Sequence, residues 1–210
     1  QKSFTVSDLG KLRWCLGIKV DRDSNSLKLS QTEYIKETVN LFGCTESKDR
    51  PPTPMKPQQH LQPASFYDFQ KAQHLKYRSL VGRLMYLSTT TRPDISFATT
   101  QLARHLHCYS LQHWKAALRV LLYLRHTSHL GLTYRKSSSN KHRLVSGYFR
   151  KPIPVNPTNN PVIGFSDADW ASNPSDRKSI SGYCFFLYGN PISWGSRTQN
   201  LVSLSSTESE

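Results

Sequence analysis

The sequence lacks any long apolar run. No stretch of about 18 apolar residues occurs, so we expect no segment that spans a membrane. Apolar residues make up 37% of the 210 residues, which is low for one compact globule, and we expect cores separated by polar stretches. The first residues contain neither an initiator methionine nor the apolar core of a signal peptide, which indicates a chain cut from a longer protein.

Closely spaced cysteines are also missing. The four cysteines lie far apart without a Cys-x-x-Cys pair, so we expect reduced thiols in an intracellular protein. His105, His107 and Cys108 raise the alternative of a metal site, but the two histidines point to different sides of a helix, which disfavours zinc. The nucleophile motif Gly-x-Ser-x-Gly does not occur either.

Acidic residues are scarce through the middle of the chain. Residues 69–166 contain fifteen Lys or Arg but a single acid, Asp94, and the whole chain carries a formal net charge of +14. Such a block produces a strong positive potential, which favours nucleic acid as a partner through phosphate contacts and counterion release. The alternative is a basic surface that only keeps the protein in solution.

Periodicity and composition divide the chain into five segments, and the fold class that they predict is α+β. Proline fixes φ and removes a hydrogen-bond donor, so its clusters indicate extended linkers. The segments are 1–50, a hairpin and a helix; 51–70, a proline-rich linker; 71–134, a helical region; 135–160, a second linker or a mobile pair of strands; and 161–210, three strands and the start of a helix that open an α/β domain.

Three helix starts carry capping signals. Ser30 followed by Glu33 predicts a capping box at the first helix, and Ser205 followed by Glu208 predicts another near the chain end. Ser110 is predicted to cap the third helix of the 71–134 region.

That third helix pairs an apolar face with a basic one. Lys115 and Arg119 lie one turn apart, away from the apolar residues. Such a helix is suited to pack on a domain while it binds phosphates, and the alternative is a solvated charged face.

Several blocks, in order along nearly the whole chain, resemble the Pol polyprotein of copia-type LTR retrotransposons. Tyr77-Arg-Ser-Leu-Val-Gly-Arg-Leu-Met-Tyr-Leu87, followed by Thr91-Arg-Pro-Asp-Ile95, is similar to one block of that family. Asp167-Ala-Asp-Trp-Ala171 and Leu204-Ser-Ser-Thr-Glu-Ser-Glu210 are similar to the start of its ribonuclease H domain. The resemblance therefore implies a fragment that runs from reverse transcriptase into ribonuclease H.

The resemblance assigns parts to the five segments. It implies the end of the reverse transcriptase palm in 1–50, thumb and connection in 71–134, and a truncated ribonuclease H-like domain in 161–210. Leu16 and Gly17 would form the hairpin that grips the primer terminus. The basic side chains expected to contact the template–primer are Arg78, Arg83, Arg92, Arg104, Lys115 and Arg119.

Ribonuclease H activity requires carboxylates that hold two Mg²⁺ ions, since hard oxygen ligands suit this metal. Asp167 and Asp169 share one face of a strand. By resemblance, Asp167 and Glu210 are the catalytic metal ligands, whereas Asp169 is a supporting acid and Glu208 serves the helix cap. Two further acids of the family's cluster lie downstream of this helix, and the chain stops at Glu210.

The polymerase acids of the family, an adjacent Asp pair, are absent as well. We therefore expect a nucleic-acid-binding fragment that neither polymerises nor cleaves alone. The alternatives are a degenerate or domesticated binding remnant and a decayed reading frame. The implied partners are a template–primer or RNA–DNA hybrid and the remainder of the polyprotein, with no membrane. The implied location is the cytoplasm, in virus-like particles, with passage into the nucleus left open.

Overall fold

Two antiparallel sheets and six α-helices form the part of the chain that the computed structural model describes, which is residues 7–8, 10–57, 59–136, 162–171 and 175–210. The predicted α+β class is confirmed. The strands are β1 (Trp14–Cys15), β2 (Ile18–Arg22), β3 (Ser26–Ser30), β4 (Leu132–Arg135), β5 (Val162–Asp169), β6 (Ile180–Leu187) and β7 (Asn190–Thr198). The helices are α1 (Thr32–Leu41), α2 (Phe66–Ala72), α3 (Tyr77–Thr90), α4 (Ser96–Ala103), α5 (Leu111–His126) and α6 (Ser206–Ser209), with a 3₁₀ turn, Pro93–Ile95, before α4. None of the described helices is both long enough and apolar enough to cross a bilayer.

The first sheet pairs strands from the start of the chain with a strand that follows the helices. Its strand order is β1-β2-β3-β4, and β4 returns from the far end of the helical region to pair with β3, with Leu29 opposite Leu132. Glycine is required beside this pair, because a Cβ at Gly131 would lie 2.2 Å from the carbonyl oxygen of Leu29. We call residues 7–136 the helical unit.

One hydrophobic core fills the helical unit. Buried side chains of α1, α3, α4 and α5 meet there, and the hydroxyl of Tyr77 donates a 2.8 Å hydrogen bond to the carbonyl of Leu102. Met55 and Leu61 of the proline-rich linker belong to the same core. The linker is therefore extended but packed against the helices. The predicted boundaries at residues 50 and 70 separate segments that share this core, and their division by function stays a prediction.

The predicted capping box at Ser30 and Glu33 is wrong. Helix α1 begins after Gln31, whose side chain makes no capping bond, and Glu33 pairs instead with Lys36 at 2.9 Å. The physical reason is tertiary, since Gln31 is fully buried and accepts a 2.7 Å hydrogen bond from the Thr91 hydroxyl at the end of α3.

The other two caps are confirmed. Ser110 and His113 form a reciprocal capping box at α5. The hydroxyl of Ser205 accepts a 3.1 Å hydrogen bond from the backbone N–H of Glu208, whose carboxylate accepts from the N–H of Leu204 at 2.6 Å. Glu208 therefore serves the start of α6, although its carboxylate bonds to Leu204 and not to Ser205 as the predicted capping box requires.

Several element boundaries differ from prediction. Helix α2 lies partly inside the predicted 51–70 linker. It begins at Phe66 because the Ser65 hydroxyl caps it by accepting a 3.1 Å hydrogen bond from the backbone N–H of Asp68. At the second linker, Arg135 is the last residue of β4, whereas 137–161 lies outside the described residues.

The three strands predicted near the chain end are confirmed. They form a separate antiparallel sheet of order β5-β6-β7, and α6 packs beside β5. We call residues 162–210 the C-terminal unit. The indole N–H of Trp194 donates to the Ser88 carbonyl at 2.7 Å, and Arg104 pairs with Asp176 at 2.8 Å, so both bonds connect this unit to the helical unit.

Candidate nucleic-acid interface

The hairpin turn at Leu16 and Gly17 is anchored on helix α3. These two residues connect Cys15 to Ile18, and their φ angles of 49° and 75° are the positive values that a tight two-residue turn requires. Leu16 is 81% exposed, and its carbonyl accepts a hydrogen bond from the Tyr86 hydroxyl. The turn therefore projects an apolar side chain from a fixed backbone.

Arg92 lies in the interior of the helical unit and not on its surface. The residue is 1% exposed, and its guanidinium makes a two-pronged contact with Asp94 at 2.9 and 2.7 Å. It also donates to the Thr127 carbonyl at 3.0 Å, which ties the start of α4 to the end of α5. A guanidinium in this position stabilises the fold and does not reach a phosphate.

Two other predicted contact residues carry acidic partners. Arg83 lies 3.1 Å from the Glu37 carboxylate, and Arg104 is paired with Asp176. Arg78 is exposed and donates to the Leu106 carbonyl at 2.9 Å. The structure therefore does not bring these three arginines together on one uniformly basic patch.

Lys115 and Arg119 of α5 do share a concave surface, which we call the basic groove. It has a volume of about 890 Å³ and lies between α5 and the proline-rich linker. Lys56 of the linker and Arg50, directly before the linker, line it too, and Asp49 is the acid among its described lining residues. The groove thus concentrates four basic side chains around one acid.

The linker and the residues just before it are held over α5 by polar contacts. Arg119 donates to the Thr53 hydroxyl at 3.2 Å, while its buried Nε makes no hydrogen bond to a described residue. Arg125 donates to the Ser47 carbonyl at 2.7 Å. These contacts fix one wall of the groove against the other.

Arg50 and Lys56 were not among the residues that the sequence predicted for the interface. Periodicity places Lys115 and Arg119 on one helix face, but a proline-rich segment has no period from which to read its direction. The available signal was local, since these two cations flank the run Pro51-Pro-Thr-Pro-Met55.

The two predicted Mg²⁺ ligands lie on neighbouring elements. Asp167 is exposed on β5, opposite Gly182 of β6, and Glu210 follows α6, which packs beside β5. The indole of Trp170 donates to the Ser203 carbonyl at 3.0 Å and holds the segment before α6 in place. No group of three or more His, Cys, Asp or Glu among the described residues could hold a metal ion. These two carboxylates do not by themselves fit a two-metal site, and no catalytic step follows from them.

Known proteins resemble the chain over its whole length. It is 34% identical over 209 residues to the uncharacterized mitochondrial protein AtMg00810 of Arabidopsis thaliana, covering 99% of this chain and 76% of that protein. It is also 34% identical over 215 residues to the retrovirus-related Pol polyprotein from transposon TNT 1-94 of Nicotiana tabacum, covering 100% of this chain. The Pol polyprotein from transposon RE1 of Arabidopsis thaliana is 35% identical over 208 residues, covering 99% of this chain.

The chain belongs to the retrotransposon Pol polyprotein family. It spans 14% of the TNT 1-94 Pol polyprotein and 12% of the RE1 Pol polyprotein. No family model matches the chain, and no solved structure matches it. The predicted membership in a retrotransposon polyprotein is thereby confirmed, and the part that this segment plays within Pol is a separate question.

Proposed function

We propose that this segment of a copia-type Pol polyprotein joins the end of the reverse transcriptase to the start of ribonuclease H, and that it binds an RNA–DNA hybrid or template–primer through the basic groove. The observation that carries the proposal is the convergence of Arg50, Lys56, Lys115 and Arg119 on one concave surface. A groove of this charge attracts a phosphate backbone, and binding releases the counterions condensed on the nucleic acid.

The orientation of α5 adds to the charge of its side chains. Leu111 and Gln112, in the first turn of this 16-residue helix, also line the groove. The positive end of a helix dipole favours anions within about one turn of the N-terminus. A phosphate in the groove would therefore meet backbone partial charges as well as Lys115.

The proposed contacts have an order of importance that follows from exposure and pairing. The four cations of the basic groove come first, and the exposed Arg78 and the Leu16 turn remain proposed as further contacts. Arg83 and Arg104 contribute less because each has a carboxylate partner. Arg92 is left out of the interface.

For the nuclease part, Asp167 and Glu210 are proposed as ligands of Mg²⁺ in the parent enzyme. This would require the remainder of the Pol polyprotein to supply further acids, because a two-metal site places both ions among several carboxylates. The adjacency of β5 and α6 supports the pairing of these two residues. The segment alone is expected to bind a hybrid without cutting it.

Charge removal tests the groove. We expect the double variant Lys56→Gln/Lys115→Gln to bind a short RNA–DNA hybrid roughly tenfold more weakly at low salt, and its salt-dependence slope to fall by about two. The matched control is Lys19→Gln/Lys36→Gln, which removes the same charge from exposed positions on β2 and α1. Equal losses for both variants, or no binding by the unaltered chain, would contradict the proposal.

A further inference from the structure

A second groove continues from the basic groove. It has a volume of about 440 Å³, lies between α2 and the start of α5, and is lined by Lys71, His74 and Asp68. Leu111 and Gln112 line both grooves. The two grooves are therefore neighbours across the first turn of α5, and a chain-like ligand could follow both.

Two exposed aromatic residues stand at the start of α2, next to this second groove. Phe66 is 74% exposed and Tyr67 is 63% exposed, and the ammonium of Lys71 lies 4.0 Å from the centroid of the Tyr67 ring. Lys71 therefore covers one face of Tyr67 while it also lines the groove. The rest of the Tyr67 ring and most of Phe66 remain open to a ligand.

Helix α2 is anchored to the core of the helical unit through Phe69 and Ala72. Phe69 makes an edge-to-face contact with Tyr109, with ring centroids 5.3 Å apart, and Ala72 is buried in the core. Because the backbone of α2 is held, stacking a flat ligand on Phe66 or Tyr67 orders side-chain torsions only. The helix thus presents the rings of Phe66 and Tyr67 from a fixed backbone.

The acid of the second groove is already engaged. The Asp68 carboxylate accepts a 2.7 Å hydrogen bond from the Ser65 hydroxyl, as part of the cap of α2. Its charge lowers the local positive potential, but Lys71 lies beside it in the lining. The second groove is therefore less basic than the first, and its distinguishing feature is the pair of aromatic rings.

We infer that the two grooves form one track for single-stranded nucleic acid, with phosphates in the basic groove and unpaired bases stacked on Phe66 and Tyr67. This inference rests on the proposed function of the basic groove and names the form of nucleic acid that the extended surface prefers. Single-strand-binding proteins combine a positive groove with aromatic rings, because every unpaired base has a face to stack. In a duplex those faces are covered by neighbouring bases, so the rings discriminate between the two forms.

The test compares two ligands on the same full-length chain. We would measure the affinity for a single-stranded oligodeoxythymidylate and for an RNA–DNA hybrid of equal length, using the double variant Phe66→Ala/Tyr67→Ala. We expect about tenfold weaker binding of the single strand and unchanged binding of the hybrid. The control is Phe97→Ala, which removes an exposed aromatic ring of α4 and should change neither affinity.

A second variant separates stacking from folding. Phe66→Leu/Tyr67→Leu keeps an apolar side chain but removes the flat ring, and it should reproduce the selective loss. An equal loss for both ligands, or no loss for either, would overturn the single-strand inference while the lysine variants of the basic groove still report on the proposed function. Failure of the unaltered chain to bind either ligand would overturn both.

Discussion

The helical unit and the C-terminal unit differ in how much apolar surface each one buries. The core of the helical unit draws on α1, α3, α4, α5 and the linker. In the described part of the C-terminal unit, the buried apolar side chains are Ile180 and Phe186. The contrast indicates that the helical unit holds most of the folding free energy, because burial of apolar surface is its main favourable contribution.

The two units also differ in charge. Residues 7–136 contain twenty Lys or Arg and nine Asp or Glu, whereas residues 162–210 contain three and five. The unit with the larger core is thus also the basic one. The larger core and the proposed nucleic-acid interface therefore lie in the same unit, while the carboxylates proposed for metal binding lie on the unit with the smaller core.

The largest effect is expected when the two units are expressed as separate pieces. We expect residues 161–210 alone to show no cooperative melting, because a three-stranded sheet with so few buried side chains does not offset its conformational entropy. Residues 1–136 alone should melt cooperatively. Calorimetry or circular dichroism on both pieces measures this, and sharp melting of the 161–210 piece would contradict the comparison.

Next in expected size is the loss of Arg92. Arg92→Ala removes a fully buried side chain together with its bonds to Asp94 and to the Thr127 carbonyl, and we expect it to lower the free energy of unfolding by about 3 to 5 kcal/mol. Arg78→Ala removes the same charge from an exposed site and should lower it by less than about 1 kcal/mol. Urea denaturation of both variants gives the two values, and similar losses would mean that Arg92 has no special part in the fold.

A smaller effect should appear as a pH dependence of the helical unit. His113 is fully buried, and burial lowers its pKa to about 4, with the nearby His105 ring, 4.2 Å away between centroids, as the second cause. The unfolded chain then takes up a proton near the ordinary pKa of about 6.5, before the folded chain does. The contribution of His113 to the free energy of unfolding is therefore fully present above that pH. It is lost, by about 2 to 3 kcal/mol, as the pH drops toward 4.

His113→Gln isolates this effect. Glutamine can keep the reciprocal cap with Ser110 but does not titrate, so the variant should lose less stability between neutral pH and pH values near 4. Denaturation midpoints at several pH values check the difference. Identical pH profiles for the variant and the unaltered chain would show that His113 is not the responsible group.

Some parts of the fold were predictable because they depend on local pattern. The three C-terminal strands and the cap at Ser110 follow from alternation, turn residues and capping chemistry, which neighbours in sequence determine. The sequence did not predict that α1 begins directly after Gln31, because the bond from Thr91 to Gln31 joins residues that are far apart in sequence. Strand β4 was missed for the same reason, since its partner is β3.

In the candidate site, too, the sequence predicted the features that depend on local spacing. Helical spacing placed Lys115 and Arg119 on one face, which is where the structure has them. The sequence alone does not show which cations are buried, so it could not distinguish the buried Arg92 from the exposed Lys115. It also could not show that Arg50 and Lys56 lie across the groove from α5. Burial and tertiary proximity determine these distinctions.

A lysine-acylation footprint read by mass spectrometry tests whether the helical unit binds nucleic acid through the basic groove. The full chain would be labelled with and without a saturating RNA–DNA hybrid. We expect the hybrid to protect Lys56 and Lys115 and to leave Lys19 and Lys36 reactive. Protection of Lys178 in the C-terminal unit, with Lys56 and Lys115 still reactive, would contradict the claim.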